Sequence, residues 1–307
     1  MPKKDKLLAI VGPTASGKSE LAVSLAKKFN GEIISADSRQ IYAGMDIGTG
    51  KVEGAWKKIR GRKIYVYKGV PHYCIDFLSP KKQFSAGLFQ TETKNVINDI
   101  LARGKLPILC GGTGHWIDAV VFGQKLPEVK PDSALRRKLE KFSPEKLFIR
   151  LQKLDPARAK NIDRFNKRRL IRALEIVIST GQPVPALNSK PSPYECLWLG
   201  LLWPQETLYK RIDLRLKERL LQGMAKEISQ LHKKGLSWKK LFDFGLEYRY
   251  VGQYLQKKLT YDEMTEQLSY AIKHYAKRQM TWWKKNPEIH WLKKGLLAEL
   301  LVKRFLR

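Results

Sequence analysis

Residues 12–19 read Gly-Pro-Thr-Ala-Ser-Gly-Lys-Ser and match the phosphate-loop pattern G-x-x-x-x-G-K-S/T. Such a loop directs backbone N–H groups and a helix N-terminus at a phosphate anion, while the lysine adds a charge and the last hydroxyl can ligate Mg²⁺. The apolar run 7–11 predicts a strand before the loop, and residues 20–29 predict a helix after it. We therefore predict a diphosphate site, similar to an ATP-binding motif, that is formed by Gly12, Pro13, Thr14, Ala15, Ser16, Gly17, Lys18 and Ser19, with Ser19 as the metal ligand.

Asp37 and Thr113 are placed to meet a substrate near that loop. Asp37 closes the predicted strand that begins at Gly31, and Thr113 follows the predicted strand 107–110. Neighbouring parallel strands bring their carboxyl ends over one crevice. Position alone leaves Asp37 open between a general base and a helix cap or magnesium ligand. Thr113, flanked by glycines, either lets a flat ligand approach the backbone or caps a tight turn.

The predicted strand that ends at Cys110 lacks a terminal acid. Ordinary phosphate-loop NTPases hold the nucleotide's Mg²⁺ with such an acid. Its absence favours a reaction in which diphosphate leaves over one in which a γ-phosphoryl group is transferred.

Two rows of basic residues accompany these candidates. Arg211, Arg215 and Arg219 lie at i, i+4 and i+8, which fits either a solvated helix face or an arginine at a diphosphate. The second row consists of Arg168, Arg169, Leu170, Ile171 and Arg172. Its spacing predicts a helix that is packed by the two apolar residues while the arginines face a backbone phosphate.

Charge is the strongest compositional signal. The 307 residues include 59 Lys and Arg against 29 Asp and Glu, a formal net charge of +30. This balance attracts polyanions whatever the fold, and beside a phosphate loop it favours nucleic acid as the partner. The alternative is a lysine-rich surface that reflects only a basic proteome or salt adaptation.

Composition also limits the setting of the protein. No apolar run reaches the roughly 18 residues that span a bilayer, and no signal peptide precedes the first predicted strand. Cys74, Cys110 and Cys196 are scattered without a C-x-x-C pair, which predicts free thiols in a reducing compartment and no zinc site. We expect a cytoplasmic protein that does not contact a membrane.

Strand and helix patterns alternate through residue 122 and return near residue 196. This alternation predicts an α/β fold, with a P-loop-type parallel sheet flanked by helices. The segment 123–195 is basic and helical in pattern, with helix starts at Ser143 and Asp155 and a third helix over 167–179. We expect a core formed by 1–122 and 196–307, including C-terminal helices, with 123–195 as a helical insertion domain.

Together these pieces resemble one family, the tRNA dimethylallyltransferases, also called tRNA isopentenyltransferases. The resemblance runs from Leu8 to about Trp291 and depends on several motifs in a fixed order. Besides the phosphate loop, the motifs are Asp37-Ser38-Arg39-Gln40-Ile41-Tyr42, Gly44-Met45-Asp46-Ile47-Gly48-Thr49, Gly69-Val70-Pro71-His72-Tyr73, Gly111-Gly112-Thr113-Gly114, Asp155-Pro156, Arg168-Arg169-Leu170-Ile171-Arg172-Ala173-Leu174-Glu175 and Arg278-Gln279-Met280-Thr281-Trp282.

The resemblance implies transfer of a dimethylallyl group from dimethylallyl diphosphate to N6 of the adenosine just 3′ of the anticodon in tRNA, with Mg²⁺ assisting the release of diphosphate. It implies that the phosphate loop holds the donor, that Asp37 is the general base, and that Arg215 binds diphosphate beside Lys18. The tRNA-contacting residues that it implies are Asp37, Ser38, Arg39, Gln40, Thr113, Arg168, Arg169, Leu170, Ile171 and Arg172. We expect the insertion to grip the anticodon stem-loop and a monomer to suffice.

The chain departs from the family pattern at three places. His115-Trp116 stands where the family has Leu-Tyr, and Gly50-Lys51-Val52 stands where Ala-Lys-Pro is typical. The stretch Gly245-Leu246-Glu247-Tyr248-Arg249 replaces Gly-Tyr-Lys-Glu, so no contact is transferred to it.

Three other functions compete with this interpretation. An isopentenyltransferase acting on free AMP or ADP would need neither the insertion nor the positive charge. A small-molecule kinase would use Asp37 on a substrate hydroxyl, but the strand before Gly111 lacks the expected acid. A non-catalytic RNA-binding protein would bind tRNA whether or not Asp37 and Lys18 are intact.

Overall fold

The structure contains an eight-stranded sheet, and three of its strands end at the phosphate loop, at the segment with Asp37 and at the segment with Thr113. The computed structural model describes residues 4–59, 61–185, 192–293 and 296–307. In chain order the strands are β1 (Asp5–Val11), β2 (Gly31–Ser35), β3 (Ala55–Ile59), β4 (Arg62–Tyr67), β5 (Val70–Tyr73), β6 (Leu106–Cys110), β7 (Tyr194–Leu201) and β8 (Ile289–Leu292). Their order across the sheet is β3-β4-β5-β2-β6-β1-β7-β8.

Most of the sheet is parallel, as the sequence predicts. β1 pairs in parallel with β6 and β7, and β2 does so with β5 and β6. One edge differs from the expectation, because β4 pairs antiparallel with both β3 and β5. The turn between β4 and β5 consists of Lys68 and Gly69, with φ of 48° and 82°. Two residues with positive φ form the tight hairpin turn that reverses the chain, whereas a parallel crossover needs about twelve residues or more.

β1 is buried on both faces of the sheet. Leu7, Ala9 and Val11 belong to the apolar core on one face, and Leu8 and Ile10 belong to the core on the other. Because neither face meets solvent, the strand is continuously apolar, as is typical of a parallel sheet covered by helices.

Helices cover both of these cores. In chain order they are α1 (Lys18–Lys28), α2 (Ala86–Ala102), α3 (Gly114–Val121), α4 (Ser133–Leu139), α5 (Pro144–Leu154), α6 (Pro156–Ala159), α7 (Lys167–Thr180), α8 (Gln205–Leu221), α9 (Met224–Lys233), α10 (Trp238–Phe244), α11 (Leu246–Leu255), α12 (Tyr261–Trp283) and α13 (Leu296–Leu306). α1 and α13 share the core that contains Leu8, while α2, α3 and α8–α12 share the core that contains Leu7. This arrangement matches the predicted sheet flanked by helices.

The chain divides into two compact units, Met1–Phe122 with Pro191–Arg307, and Gly123–Lys190. The predicted insertion extends to residue 195, but β7 already begins at Tyr194. Part of that predicted segment, residues 186–191, lies outside the described residues.

The second unit contains α4–α7 in its described part. Ser143 and Asp155 cap α5 and α6 at the predicted helix starts, accepting hydrogen bonds from the N–H groups of Lys146 and Arg158. Glu175 is fully buried and accepts hydrogen bonds from Arg136 and Arg172. The two guanidinium groups hold the pKa of Glu175 below its usual range although burial itself raises that pKa.

Among the described residues, no helix combines the length and the apolar composition that a membrane crossing requires.

Candidate active site

A cavity of about 590 Å³ lies where β1, β6 and β2 end. β1 leads into the phosphate loop, β2 leads to Asp37, and β6 leads to Thr113. The three segments converge because their strands are neighbours in the sheet. Of the predicted site residues, those that line the cavity are Thr14, Ala15, Ser16, Gly17, Lys18, Ser19, Asp37, Gln40 and Arg215.

The phosphate loop uses backbone conformations that favour glycine. Gly17 has φ 95° and is the N-cap of α1. Gly12 has φ 145°, and a Cβ atom there would lie 3.1 Å from the carbonyl oxygen of Leu201. Gly12 and Pro13, the first two residues of the loop, are buried. Since the first N–H groups of a helix lack partners within the helix, the N-terminus of α1 offers hydrogen-bond donors and a positive dipole end to an anion.

Two side chains from beyond β7 hold the outer side of this loop. Trp203 donates from Nε1 to the carbonyl oxygen of Ser16 at 2.9 Å. Arg211 donates from Nε to the carbonyl oxygen of Ala15 at 2.8 Å, and its guanidinium lies 4.7 Å from the centre of the Trp203 ring. The loop is therefore braced before any ligand binds. The sequence analysis did not identify Trp203, which lies 187 residues from its partner.

The Lys18 ammonium and the Ser16 hydroxyl can each donate a hydrogen bond to an anion bound in the loop. Lys18 Nζ donates to the carbonyl oxygen of Pro13 at 2.6 Å, which holds the side chain across the loop. Burial lowers the pKa of Lys18 to about 8, with the nearby charge of Arg215 acting in the same direction. The hydroxyl oxygen of Ser16 is buried and has no hydrogen-bond partner among the residues that the structure describes. An anion in the loop would satisfy this hydroxyl and favour the protonated form of Lys18.

Asp37 fills one of the roles that its position left open, that of a cap, although it caps a turn and not a helix. Its Oδ1 atom accepts hydrogen bonds from the N–H groups of Arg39 at 2.8 Å and Gln40 at 3.4 Å, so it does cap the turn. No hydrogen bond to the other oxygen, Oδ2, occurs in the part of the chain that the structure describes. The capping oxygen orients the carboxylate, and the second oxygen remains able to accept a proton.

Thr113 ties the turn after β6 to the segment that carries Asp37. Its Oγ1 accepts from the N–H of Ser38 at 3.1 Å, and its own N–H donates to the carbonyl oxygen of Ala36 at 3.2 Å. A Cβ atom on Gly111 would lie 2.2 Å from that carbonyl oxygen, so only glycine permits the close approach. Thr113 therefore acts within a tight turn and is not itself among the residues that line the cavity.

The basic row on α8 is only partly solvated, since Arg211 is exposed whereas Arg215 is half-buried and Arg219 is buried. Arg215 donates to the carbonyl oxygen of Gly50 at 3.1 Å, and its other terminal nitrogen lies 3.5 Å from the Thr14 hydroxyl. Arg219 is buried, donates to the carbonyl oxygen of Ile47 at 2.5 Å and pairs with Glu247 at 2.9 Å. Burial lowers the pKa of Arg215, and the charge of Arg219 adds to that effect. Arg211 and Arg215 both line the cavity beside the phosphate loop, whereas Arg219 does not.

The loop 46–50, whose residues Thr49 and Gly50 line the cavity, depends on one carboxylate that was not predicted from the sequence. Glu227 on α9 accepts hydrogen bonds from the N–H groups of Asp46, Ile47 and Gly48 at 2.8, 2.7 and 2.9 Å. It also accepts from the Tyr248 hydroxyl at 2.9 Å. Three consecutive N–H groups that converge on a carboxylate form an anion nest, and here the anion is part of the chain.

Gln279 on α12 is a further residue that sequence analysis missed. Its side-chain amide accepts from the N–H of Thr14 at 2.8 Å and donates to the carbonyl oxygen of Gly112 at 2.9 Å. It lies in the family motif Arg278-Gln279-Met280-Thr281-Trp282, which by itself assigns no role to Gln279. A polar residue in the apolar stripe of a helix was the available signal.

The other predicted nucleic-acid contacts fall into two groups. Near Asp37, the guanidinium of Arg39 lies 5.4 Å from the centre of the Phe244 ring, and Gln40 donates to the carbonyl oxygen of Gly50 at 3.2 Å.

In the second unit, Arg168 and Arg169 are exposed. Leu170 and Ile171 are 0% and 4% exposed and pack in that unit's apolar core, so their side chains do not reach a surface. Arg172 is occupied by Glu175 and by the carbonyl oxygen of Val129 at 3.0 Å.

Comparison with known proteins identifies the family of this arrangement. The family model described as IPP transferase matches residues 40–286, and the model described as isopentenyl transferase matches residues 5–72. A protein of Pelotomaculum thermopropionicum named tRNA dimethylallyltransferase is 40% identical over 95% of this chain and 91% of its own length. A protein of Trichlorobacter lovleyi named tRNA dimethylallyltransferase 2 is 43% identical over 93% of this chain and 91% of its own length.

Solved structures agree with the sequence relatives. The tRNA isopentenylpyrophosphate transferase of Bacillus halodurans superposes with a TM-score of 0.71 at 34% identity and covers 99% of this chain and 97% of its own. A eukaryotic dimethylallyltransferase acting on tRNA gives a TM-score of 0.75 at 28% identity, over 96% of this chain and 75% of its own. The chain therefore belongs to the IPP transferase family, and the relatives that it matches along most of its length are named tRNA dimethylallyltransferases.

Proposed function

We propose that the protein transfers a dimethylallyl group from dimethylallyl diphosphate to N6 of the adenosine that lies 3′ of the anticodon in tRNA and releases diphosphate. The observation that carries the proposal is that Asp37 and Lys18 line one cavity. A group that can take a proton and a loop that can hold a diphosphate thus face the same space. The names of the relatives support tRNA as the acceptor.

The phosphate loop and Arg215 supply the donor site. The N-terminus of α1, the Ser16 hydroxyl and the Lys18 ammonium offer hydrogen bonds and positive charge to the two phosphate groups. Arg215 reaches the same wall and adds a guanidinium that suits paired phosphate oxygens. As the bond between the allyl carbon and oxygen breaks, these groups stabilise the negative charge that develops on the diphosphate.

Magnesium fits this site only as a partner of the bound diphosphate. In the part of the chain that the structure describes, no three His, Cys, Asp or Glu side chains form a metal cluster. Mg²⁺ is commonly held by substrate phosphates, waters and one or two protein oxygens, which the Ser19 hydroxyl can provide. When bound, the ion would supply further charge stabilisation to the leaving diphosphate.

Asp37 acts as the general base. An adenine amino group is a weak nucleophile because its lone pair is delocalised into the ring. The N6 nitrogen forms a bond to the allyl carbon, the carbon–oxygen bond to diphosphate breaks, and the N6 proton passes to Asp37. A positioned base accelerates such a step by about 10²–10⁴-fold.

The acceptor is bound as a polyanion whose target base leaves its stack. The net charge of +30 favours RNA over a free nucleotide. The target base must leave the anticodon loop and enter the cavity beside Asp37. The insertion grips the anticodon stem-loop, with the exposed Arg168 and Arg169 at phosphates. We expect the protein to act in the cytoplasm, and a monomer suffices for the reaction, because a single chain can supply every residue assigned to it.

A labelled-donor assay with three arms tests the proposal. Purified protein and Mg²⁺ are incubated with labelled dimethylallyl diphosphate and unmodified tRNA, with the same donor and AMP, and with labelled ATP in place of the donor. We expect label in tRNA only. Label in AMP would assign the protein to free nucleotides, and transfer from ATP alone would make it a kinase.

A further inference from the structure

The inner face of α12 contains one polar exception. Its buried residues are Met264, Leu268, Ile272, Ala276, Gln279 and Trp283. Gln279 is 6% exposed, and a buried amide is costly unless both of its ends are hydrogen-bonded. Here the amide oxygen accepts from the N–H of Thr14, and the amide nitrogen donates to the carbonyl oxygen of Gly112. The position therefore requires a side chain with both an acceptor and a donor, and not only one of suitable volume.

These two backbone groups belong to the two halves of the active site. Thr14 lies in the phosphate loop, and Gly112 precedes Thr113, which holds the N–H of Ser38 beside Asp37. A short path of hydrogen bonds therefore joins the donor loop to the general base through one side chain. The fit is close, since a Cβ atom on Gly112 would lie 2.2 Å from the Gln279 amide nitrogen.

We propose that Gln279 is a positioning residue that fixes the phosphate loop relative to the turn carrying Asp37. The inference rests on the proposed transfer reaction, and it concerns both the conformation of the phosphate loop that binds the donor and the alignment of the donor with the base. Reactive atoms must meet within narrow limits, and a displacement of about 1 Å can cost about 100-fold in rate.

The amide is required because it accepts at one end and donates at the other. A carboxylate of the same shape can only accept, so Gln279→Glu leaves the Gly112 carbonyl oxygen without its donor and adds negative charge near the diphosphate site. A protonated carboxyl group has one donor and one acceptor, like the amide. Burial raises the pKa of a carboxyl group at this position.

The test is the pH profile of Gln279→Glu relative to the wild type. We expect kcat to be reduced by about 10–100-fold at pH 8 and the ratio of variant to wild-type kcat to rise as the pH falls. Gln279→Met, which can neither donate nor accept in this way, should show a loss of similar size at every pH. Gln267 on the same helix is exposed, and Gln267→Glu and Gln267→Met serve as matched controls with wild-type kcat.

Inorganic diphosphate gives a readout that does not depend on transfer. Its affinity for Gln279→Glu, divided by its affinity for the wild type, should also rise as the pH falls. Thermal unfolding at each pH separates this effect from loss of fold. The inference would be overturned if neither ratio of Gln279→Glu to the wild type, for kcat or for diphosphate affinity, changed with pH. A kcat of Gln279→Met equal to that of the wild type would also overturn it. A wild-type protein that transfers nothing to tRNA would instead overturn the proposed function, and the diphosphate ratio would still decide the role of Gln279.

Discussion

At the scale of residues, the reaction depends on how two side chains are held. Asp37 is oriented by the N–H groups that its Oδ1 atom accepts, and Lys18 is held across the loop by the Pro13 carbonyl. Neither residue depends on a bound substrate for its place. Preorganisation of this kind lowers the barrier because little rearrangement is needed during the reaction.

Asp37→Asn should abolish the base while keeping the capping oxygen. We expect kcat to fall by about 10²–10⁴-fold, with the Kd for tRNA unchanged, because the amide can still accept from Arg39 but cannot take the N6 proton. Single-turnover transfer and a tRNA binding titration measure the two quantities. Asp262→Asn, the same change at an exposed position, is the control. An unchanged kcat would remove Asp37 from the role of base.

Donor binding should weaken in alkaline solution. The pKa of Lys18 is lowered to about 8 by burial, so in the unliganded protein the ammonium is present below that pH and is lost above it. We expect the Kd of the wild type for inorganic diphosphate, divided by that of Lys18→Arg, to rise above pH 8 by up to about tenfold per pH unit. The arginine stays charged throughout, so the ratio cancels the titration of diphosphate itself. A ratio that does not change between pH 7 and pH 10 would exclude Lys18 as the titrating group.

At the scale of elements, helices α8, α9 and α12 support the loops around the cavity, and α8 also contributes Arg215 to the donor site. α8 braces the phosphate loop and the loop 46–50 through Arg211, Arg215 and Arg219. α9 holds the loop 46–50 through Glu227, and α12 holds the phosphate loop through Gln279. Side chains that lie far along the chain from these loops therefore help to set the shape of the cavity.

Glu227→Gln tests this support. The side chain of glutamine has one acceptor oxygen where glutamate has two. Its NH₂ group would therefore face a backbone N–H, and at least one of the N–H groups of Asp46, Ile47 and Gly48 would lose its acceptor. We expect the free energy of unfolding to fall by about 2–4 kcal/mol and diphosphate binding to weaken. Chemical denaturation and a binding titration measure both effects. Glu266→Gln, at an exposed position on α12, should change neither; equal stability of both variants would argue against this role of Glu227.

Local patterns in the sequence predicted the elements that carry the chemistry. β1, the phosphate loop and α1 follow from one continuous motif, and the convergence of Asp37 with Lys18 follows from the rule that parallel strands share an edge. Long-range contacts were out of reach. Thr14 and Gln279 are 265 residues apart, and nothing near either residue reveals the other.

The second unit shows another property that the sequence pattern could not predict, namely which residues of a helix are exposed. The spacing of Arg and Leu or Ile predicts an amphipathic helix, and α7 lies where it was predicted. The spacing does not show which of these residues are exposed to solvent. Leu170 and Ile171 lie in the apolar core, so the motif contributes packing as well as charge.

At the scale of the whole molecule, we expect the net charge of +30 to favour binding of a polyanionic acceptor. Lys and Arg in excess release counterions from RNA on binding, so affinity falls steeply with salt. A mononucleotide offers few phosphates and gains little from this effect.

Arg169→Ala should reduce the salt dependence of tRNA binding. If the exposed Arg169 contacts a phosphate, the slope of log Kd against log salt falls by about 1 and the affinity falls at low salt. Filter binding between low and moderate salt measures the slope. Lys27→Ala, an exposed cation on α1, serves as the control and should leave the slope unchanged. Equal slopes for the Arg169 variant and the wild type would remove this residue from the interface.

The most direct test of the account is to locate the product. Reacted tRNA would be digested to nucleosides and to anticodon-loop fragments and analysed by mass spectrometry, in parallel with a tRNA in which the target adenosine is changed to guanosine. The account predicts a single dimethylallyl group on N6 of the adenosine 3′ of the anticodon and no product with the changed tRNA. A prenyl group on another nucleoside or position, or transfer that persists with guanosine, would contradict it.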